Sequence, residues 1–427
     1  MRRVAILGGG PVGLEAALAA REHGWTAVLY EQSPTVAGNV RAWGHVRLFT
    51  PWDWNVSPRM RFALGASAPS GAALPTGREL ADELLEPVAR GLDVRTGVQV
   101  LGIAREGLLK HEKVGSAERA ARPFRLHLLD GTGRERFAAA DVVIDATGTY
   151  GSPNRLGDGG IDALGERALD ARIARAMPEA ATLAGRDVLL TGAGHSAQTA
   201  ARDLTAVASQ APETHIIWAV RSHSPTWGAV ADDPLPARAA LTRAARDLAG
   251  GACKAVQLHT GCTVLALVER DGRIAVTLRE GEDEREVLVD HVLALNGGSP
   301  DASIYRQLQV HECYATAAPM KLAAALLGED GGDCLAPVSH GPETLRNPEP
   351  GFFILGAKSY GRNPTFLLRV GWQQVDDVFG SLLGTPGHLA AEGVGSARVA
   401  EGRVSPRASR RRSRRPGWPS PAGPSPA

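Results

Sequence analysis

Short apolar runs that end in glycine-rich turns recur along the chain and predict buried parallel strands. Val4–Leu7 leads into the turn Gly8–Gly13, and an Ala-rich helical pattern follows at once. Much later, Val188–Thr191 leads in the same way into Gly192–Ala197 and another Ala-rich helix. Strand, glycine turn and helix in this order are typical of a dinucleotide-binding unit, so the repetition predicts two such units in one chain.

The first unit has the residues that a dinucleotide requires. Gly8 permits a tight turn after the strand, Gly10 lets the backbone approach a pyrophosphate, and Gly13 allows close packing of helix on strand. The next apolar run, Ala27–Tyr30, ends at Glu31, whose carboxylate can accept hydrogen bonds from a ribose diol. An acid at this position suits a ribose without a phosphate, as in FAD or NAD.

The second unit differs in its charge. Gly192, Gly194 and Ala197 form the turn, and Ser196 offers a hydroxyl to a phosphate at the start of the helix. The following strand ends at Arg221, where the first unit has an acid. A guanidinium can bind the 2′-phosphate of NADPH, and we therefore expect NADPH here. A solvated arginine at the end of a strand is the alternative reading of Arg221.

The pattern between the two units is less regular. Residues 32–75 are rich in turns and aromatic side chains and do not follow a helical pattern, which predicts a long excursion that faces the cofactor or the substrate. A helix is predicted from about Gly77 to Gly91, with Thr76 as its cap. Alternating segments within 92–144 predict a small antiparallel sheet.

Three later runs predict further strands. Asp141–Gly148 and Asp290–Gly298 each read as a buried strand that ends in a small, tight turn, and open α/β sheets bind ligands at such ends. Gly351–Gly356 is the last clear strand, and a helix is predicted from near Phe366 to about Leu383. His311–Cys313 reads as a loop or the end of a strand.

Composition narrows the class of protein. The chain has 427 residues, of which 44% are hydrophobic, and its formal net charge is +1. These values indicate an ordinary soluble globular protein, with no overall bias toward nucleic acid and no run long enough to span a membrane. We expect a cytoplasmic location, and the sequence is compatible with a homo-oligomer. The four cysteines, Cys253, Cys262, Cys313 and Cys334, form no Cys-x-x-Cys pair, and no cluster of metal ligands stands out.

The predicted fold class is α/β, with two Rossmann-like domains for FAD and NADPH, of which the FAD domain is discontinuous. We predict that residues 1–165 and 301–383 form the FAD domain and that 166–300 form the NADPH domain. Residues 384–427 should be a disordered tail rich in Arg, Pro and Ser, since 398–427 carry eight Arg and one Glu. Such a tail either binds nucleic acid or an acidic surface, or it is a solvated extension without function.

Taken together, residues 1–383 resemble flavoproteins with two dinucleotide-binding domains, and most closely the class B flavin monooxygenases. The glycine turns, Glu31, the Asp145–Tyr150 turn and Ser196 match the motifs of that family. The segment Phe49–Pro58 resembles the family segment whose asparagine faces the flavin.

The resemblance implies that NADPH reduces FAD and that the flavin then transfers oxygen to a nucleophilic nitrogen or sulfur. It implies Asn55 as a catalytic hydrogen-bond donor, and Thr147, Gly148 and Gly356 as cofactor contacts. Asn55 has an alternative reading as a turn residue.

Two features depart from the family pattern. Its Phe-x-Gly-x-x-x-His signature is missing from 165–187, and the last strand leads into Gly356–Arg362 instead of the Gly-Asp that is common in disulfide-reductase relatives. Lys358 or Arg362 there would approach the flavin or a phosphate, or else be solvated. The aromatic residues at 43–62 would line a substrate pocket or pack beneath the flavin. A reductase without oxygen chemistry and a flavoprotein with a binding role are the alternative function classes.

Overall fold

The structure is a computed structural model, and it describes residues 1–328 and 340–384. Its first sheet is fully parallel, with the strand order β16-β7-β1-β2-β3. These strands are β1 (Arg3–Leu7), β2 (Thr26–Tyr30), β3 (Val94–Arg95), β7 (Val142–Asp145) and β16 (Phe352–Ile354). Because β16 comes from the far end of the chain, the first domain is discontinuous, which confirms that part of the predicted fold class.

The second sheet repeats this plan. It is also parallel, with the order β11-β10-β9-β15-β8. Its strands are β8 (Ile173–Ala174), β9 (Asp187–Thr191), β10 (His215–Val220), β11 (Val256–Thr260) and β15 (His291–Ala294). The predicted α/β class with two Rossmann-like domains is therefore confirmed, while the domain bounds themselves stay predictions.

Each parallel sheet carries an antiparallel sheet of three strands, inserted before β7 in the first domain and before β15 in the second. The predicted one consists of β4 (Val98–Arg105), β5 (Phe124–Asp130) and β6 (Glu135–Ala140). The other was not predicted, and it consists of β12 (Cys262–Arg270), β13 (Arg273–Glu280) and β14 (Asp283–Val289).

Long helices pack against both parallel sheets. In the first domain, α1 (Pro11–Glu22) packs on α12 (Leu368–Leu383), and both contribute to one apolar core. In the second domain, α8 (His195–Ala208) packs on α9 (Pro236–Ala249). Within the described residues, no helix combines the length and apolar character that a membrane crossing needs.

The segment 32–75 corrects one prediction, because it contains three short helices. They are α2 (Gly38–Ala42), α3 (Trp52–Asn55) and α4 (Pro58–Leu64). Ser57 caps α4 by accepting from the N–H of Met60 at 3.0 Å. Met60 is fully buried against the first core. Tertiary packing therefore holds a helix that is too short for a periodic pattern to reveal.

The helix predicted after Thr76 is confirmed, with an irregular middle. It consists of α5 (Gly77–Glu79), a π-helical stretch at Leu80–Leu85 and α6 (Glu86–Ala89). Thr76 and Glu79 form a capping box. The wide turn precedes Pro87, which has no N–H to continue the regular helical ladder. The remaining helices are α7 (Ala117–Ala121), α10 (Met320–Gly328) and α11 (Pro342–Leu345).

Candidate functional site

The first glycine turn joins β1 to α1 and is shaped by close backbone contacts. Gly8 has a φ of +98°, and a side chain there would meet the carbonyl oxygen of Ala146 at 2.6 Å. A Cβ on Gly13 would lie 2.0 Å from the carbonyl oxygen of Gly8. A Cβ on Gly10, in contrast, would meet nothing within 4 Å. The turn is thus packed on two sides and open at Gly10, where the sequence places a pyrophosphate.

Glu31 lies against this turn at the end of β2. Its Oε2 accepts from the N–H of Gly9 at 2.6 Å, and its Oε1 accepts from the N–H of Ser33 at 2.8 Å. The side chain is buried, and two backbone amides hold the carboxylate in one orientation. Each oxygen retains a lone pair for a ribose hydroxyl, so the geometry is compatible with the predicted role.

The turn after β7 approaches the first glycine turn. Thr147, a predicted cofactor contact, uses its N–H and its hydroxyl to bond Oδ1 of Asp145, at 3.1 and 2.7 Å. Gly148 follows with a φ of +70°, and a Cβ there would meet nothing within 4 Å. The polar groups of the Thr147 side chain therefore shape the turn, and the open backbone at Gly148 is better placed to face a cofactor.

The segment after β16 overturns one expectation, because Lys358 is neither solvated nor aimed at a phosphate. It is fully buried, and its Nζ donates to Oδ2 of Asp145 at 2.7 Å. Arg362 is exposed. Gly356 has a φ of +73°, and its N–H donates to Oε1 of Gln374 at 2.8 Å. The turns that contain Thr147 and Gly356 are thus fixed by buried side chains.

The second glycine turn has the same geometry as the first. Gly192 has a φ of +109°, and a Cβ there would lie 2.3 Å from the carbonyl oxygen of Leu295. Gly194 is open, since a Cβ there would meet nothing within 4 Å. Ala197 is fully buried where helix meets strand, and Ser196 is exposed at the start of α8. This turn also leaves space at its middle glycine.

Arg221 follows directly after β10, on the edge of the second sheet that carries the glycine turn. Its side chain is exposed, and within the described residues it makes no hydrogen bond or ion pair. His223 lies over Gly261 on the neighbouring strand end, where a Cβ would be 2.2 Å from the imidazole Nδ1. An exposed guanidinium here remains available for a 2′-phosphate.

His195 was missed by the sequence analysis. It is the first residue of α8, and its ring contacts that of Phe49 edge-on, with 5.4 Å between the centroids. Its Nε2 is buried and has no partner within the described residues. Burial, reinforced by the nearby charge of Arg238, lowers the pKa of His195. Its position between Gly194 and Ser196 in the fingerprint was the only sequence signal.

Asn55 is buried at the end of α3 and is held by Thr50. Its Nδ2 donates to the carbonyl oxygen of Thr50 at 2.9 Å, and its Oδ1 accepts from the Thr50 hydroxyl at 2.7 Å. One N–H of the amide remains outside this pair of bonds. The structure therefore supports a turn-forming role directly, and the catalytic role of Asn55 stays a prediction.

The aromatic side chains of 43–62 do not form one cluster. Trp52 is buried in the first core, whereas Phe62 is 91% exposed on α4. Phe49 contacts His195, and Trp43 stacks on Tyr150 with a centroid separation of 6.4 Å. Phe49 and Trp43 thus place parts of the excursion beside the second glycine turn and the turn after β7.

The described cysteines do not resemble a reactive pair. Cys253, Cys262 and Cys313 are free thiols, and Cys334 lies outside the described residues. Burial raises the pKa of Cys262 to about 11, so this thiol stays protonated at neutral pH. The described part of the chain also groups no three histidine, cysteine or acidic side chains around a metal position.

The residues fit two dinucleotides. In both turns the outer glycine is packed against backbone and the middle glycine is open, next to the amide groups of a long helix. The unpartnered Nε2 of His195 adds a polar atom at the second turn. A pyrophosphate can approach the backbone at Gly10 and at Gly194. Fold and site together define a protein with two dinucleotide-binding domains.

The chain belongs to the pyridine nucleotide-disulphide oxidoreductase family, whose model matches residues 2–313. The predicted cofactor pair, FAD with a nicotinamide dinucleotide, is thereby confirmed at the level of the family. None of the curated proteins matches the chain in sequence.

Several solved structures share the fold. The bacillithiol disulfide reductase of Bacillus cereus is 18% identical, with a TM-score of 0.66 over 90% of this chain and 99% of that one. The thioredoxin reductase of T. acidophilum is 15% identical, with a TM-score of 0.57 over 90% of this chain and 100% of that one. The ornithine N-hydroxylase of Kutzneria is 16% identical, with a TM-score of 0.58 over 90% and 99%. At these identities the likeness concerns the fold alone.

Proposed function

We propose that the protein is an FAD-containing, NADPH-dependent monooxygenase that oxygenates a nitrogen or sulfur centre of a small molecule. The observation that carries this proposal is the contact between Phe49 of the first domain and His195 in the second glycine turn. If the second glycine turn binds NADPH, this contact would put an aromatic side chain next to that nucleotide. A reduced flavin that reacts with oxygen needs protection from water, and apolar rings at this place would provide it.

The residues of the two turns divide the work of binding. Glu31, held by two backbone amides, would bind the adenosine ribose of FAD, and the open backbone at Gly10 would receive its pyrophosphate. Gly194 and Ser196 would receive the pyrophosphate of NADPH, and Arg221 its 2′-phosphate. FAD, when bound and reduced by NADPH, supplies the electrons that activate oxygen.

Two polar side chains would act nearer to the reaction. The lowered pKa of His195 keeps its ring neutral at pH 7, so it adds no charge beside Phe49. The remaining N–H of Asn55 would donate a hydrogen bond toward the flavin side. Trp43 and Tyr150, stacked on each other, would limit the access of water from the side of the β7 turn.

A reductase that passes hydride onward without oxygen transfer is the second candidate. The bonds between Asn55 and Thr50 favour it, because they give Asn55 a sufficient structural role. Both disulfide reductases and N-hydroxylases share the fold, and the fold alone does not separate them. A dithiol route gains no support from Cys262, whose raised pKa keeps the thiol protonated, whereas a hydrogen bond with Thr316 lowers the pKa of Cys313.

Oxygen uptake separates the two candidates. The purified protein is mixed with NADPH in air, with and without a panel of primary amines and thioethers, and both oxygenated product and hydrogen peroxide are measured. A monooxygenase consumes oxygen faster with its substrate and forms product. Phe49→Ala should raise the share of peroxide, whereas Phe62→Ala, which removes an exposed ring from the same excursion, should not. If NADPH reduces the flavin without air, and air yields only slow peroxide with every compound, the reductase assignment is correct.

A further inference from the structure

Lys358 is the most deeply buried Lys or Arg among the described residues of 301–383, the return segment of the first domain. Its side chain is fully buried, and its ammonium donates to Oδ2 of Asp145 at 2.7 Å and to the hydroxyl oxygen of Thr147 at 3.0 Å. The ring of Tyr305 lies 5.1 Å from the same nitrogen. A fully buried charge is expensive unless it is paired and hydrogen-bonded, and Lys358 meets both conditions.

The partners of Lys358 form the turn that touches the first glycine turn. Oδ1 of Asp145 accepts from the N–H and the hydroxyl of Thr147, while Oδ2 accepts from Lys358. A Cβ on Gly8 would lie only 2.6 to 3.0 Å from backbone atoms of Ala146 and Thr147. A shift of the Asp145–Gly148 turn would therefore move the walls of the FAD site.

The turn that contains Lys358 is also held by buried hydrogen bonds. Lys358 belongs to the 3₁₀ turn Gly356–Tyr360. Gln374 accepts from the N–H of Gly356 at 2.8 Å and donates to the hydroxyl of Ser359 at 2.9 Å, and that hydroxyl donates to the carbonyl oxygen of Gly356 at 2.7 Å. A Cβ on Gly356 would lie 3.3 Å from Val12, in the first turn of α1. This turn too contacts the glycine-turn end of α1.

We propose that Lys358 is a positioning residue of the FAD site. Its ammonium ties the Asp145–Gly148 turn to the Gly356–Tyr360 turn, so that both parts of the discontinuous domain hold one shape around the cofactor. The role depends on the hydrogen bond from Lys358 to Asp145, which joins one turn to the other. It therefore goes beyond neutralising the charge of Asp145. It rests on FAD binding at the first glycine turn, and it does not depend on the reaction with oxygen.

Four variants test this role through FAD binding alone. K358M leaves the Asp145 carboxylate buried without its cation, and it should lower both the melting temperature and the FAD affinity. D145N alone leaves the ammonium of Lys358 buried without the carboxylate of Asp145, and so shows the effect of that change by itself. The double variant D145N/K358M removes both charges, so its apoprotein should melt close to wild type, while the crossing bond stays absent. R362M, four residues along and exposed, is the matched control and should bind FAD as wild type does.

The readouts are the melting temperature of the apoprotein and the dissociation constant of FAD from flavin fluorescence, without NADPH, oxygen or substrate. The expected result is an FAD dissociation constant at least about tenfold higher in K358M, and still several-fold higher in the double variant, after its melting temperature has recovered. If the double variant regains wild-type FAD affinity together with stability, Lys358 only compensates a charge and the proposal is wrong. A yellow wild-type protein that fails to oxygenate any compound would overturn the proposed function and leave this inference intact.

Discussion

The two glycine turns share a backbone and differ in the charged group beside them. At the first, Glu31 is buried and both its oxygens accept from backbone amides. At the second, Arg221 is exposed and no described partner is recorded for it. The first residue of the helix differs too, since Pro11 begins α1 and His195 begins α8. A preorganised acid suits a nucleotide that stays bound, and an exposed guanidinium suits one that binds and leaves.

The residues around the two glycine turns differ in the same sense as Glu31 and Arg221 do. Two further turns, Asp145–Gly148 and Gly356–Tyr360, lie around the first glycine turn. The buried side chains of Lys358 and Gln374 hold them in place. The loop after β10 lies beside the second glycine turn. Gln198 of α8 donates to the carbonyl oxygen of Trp227 in this loop at 2.9 Å. Trp227 has a φ of +59°, which is strained for a bulky residue. The two copies of one motif therefore differ in how firmly the side chains around them are held.

The largest expected effect comes from filling the open position in each turn. Gly10→Val should abolish FAD binding and yield colourless protein, because a branched side chain would occupy the pyrophosphate position. Gly194→Val should give yellow protein that dithionite reduces and NADPH does not. Flavin absorbance measures both results. Gly102→Val, at an open glycine in β4, is the control and should stay yellow. Normal FAD binding by Gly10→Val would contradict the assignment of the first turn.

The next effect concerns the charge at the second turn. Arg221→Ala should reduce the preference for NADPH over NADH by on the order of tenfold or more, since a charge-assisted bond contributes about 1.5–3 kcal/mol. The ratio of kcat/KM for flavin reduction by the two nucleotides measures it. Arg186→Ala removes an exposed arginine at the opposite edge of the same sheet, just before β9, and should leave the ratio unchanged. A full preference in Arg221→Ala would make that arginine a surface residue only.

A smaller effect tests whether a residue of the first domain serves the reaction. Asn55→Asp replaces an amide donor to the Thr50 carbonyl with a carboxylate that repels it. The share of hydrogen peroxide should rise about fivefold, which corresponds to the roughly 1 kcal/mol of a lost hydrogen bond. Peroxide and product are measured in parallel. Thr50→Val removes only the hydroxyl bond and should change the share less. An unchanged share in Asn55→Asp would leave Asn55 a purely structural role.

The smallest expected effect lies in the two glutamines that hold the loops. Gln198→Leu removes bonds to the carbonyl oxygens of Ala193 and Trp227, so the KM for NADPH should rise about two- to fivefold with kcat nearly constant. Gln374→Leu, its counterpart in the first domain, should weaken FAD binding and leave the KM for NADPH unchanged. Steady-state kinetics with saturating FAD separate the two. Equal effects of both variants on NADPH would show that the turns are not independent.

The sequence predicted the parts of the fold that depend on local pattern. The strands at β1, β7, β9, β15 and β16 are continuous apolar runs, and the glycine turns follow from steric requirements that few other residues meet. The short helix α4 was missed, because seven residues do not form a stable helix on their own. Its stability comes from Ser57 and Met60, whose contacts lie far along the chain.

In the candidate site, too, the sequence predicted only the features that depend on local pattern. The turns themselves were found, but the burial of Lys358 was not, because its partner Asp145 lies 213 residues away and neither residue carries a local signal. His195 was overlooked for a similar reason. Its contact with Phe49 joins two domains and has no counterpart in sequence spacing. Charges and rings that meet only after folding therefore set the limit of prediction from a single sequence.

The strand order of the first sheet has a consequence for how the chain folds as it is synthesised. All strands of the second sheet have been made once Ala294 has been added, whereas β16 of the first sheet begins at Phe352. Until then β7 lacks its outer neighbour, and the carboxylate of Asp145 has no lysine to pair with. Domains generally fold as units, so the second domain should fold first on the ribosome, although the first begins at residue 3. Capture of FAD would then be among the last events of synthesis, and a chain that stops short of the return segment would be a target for proteolysis.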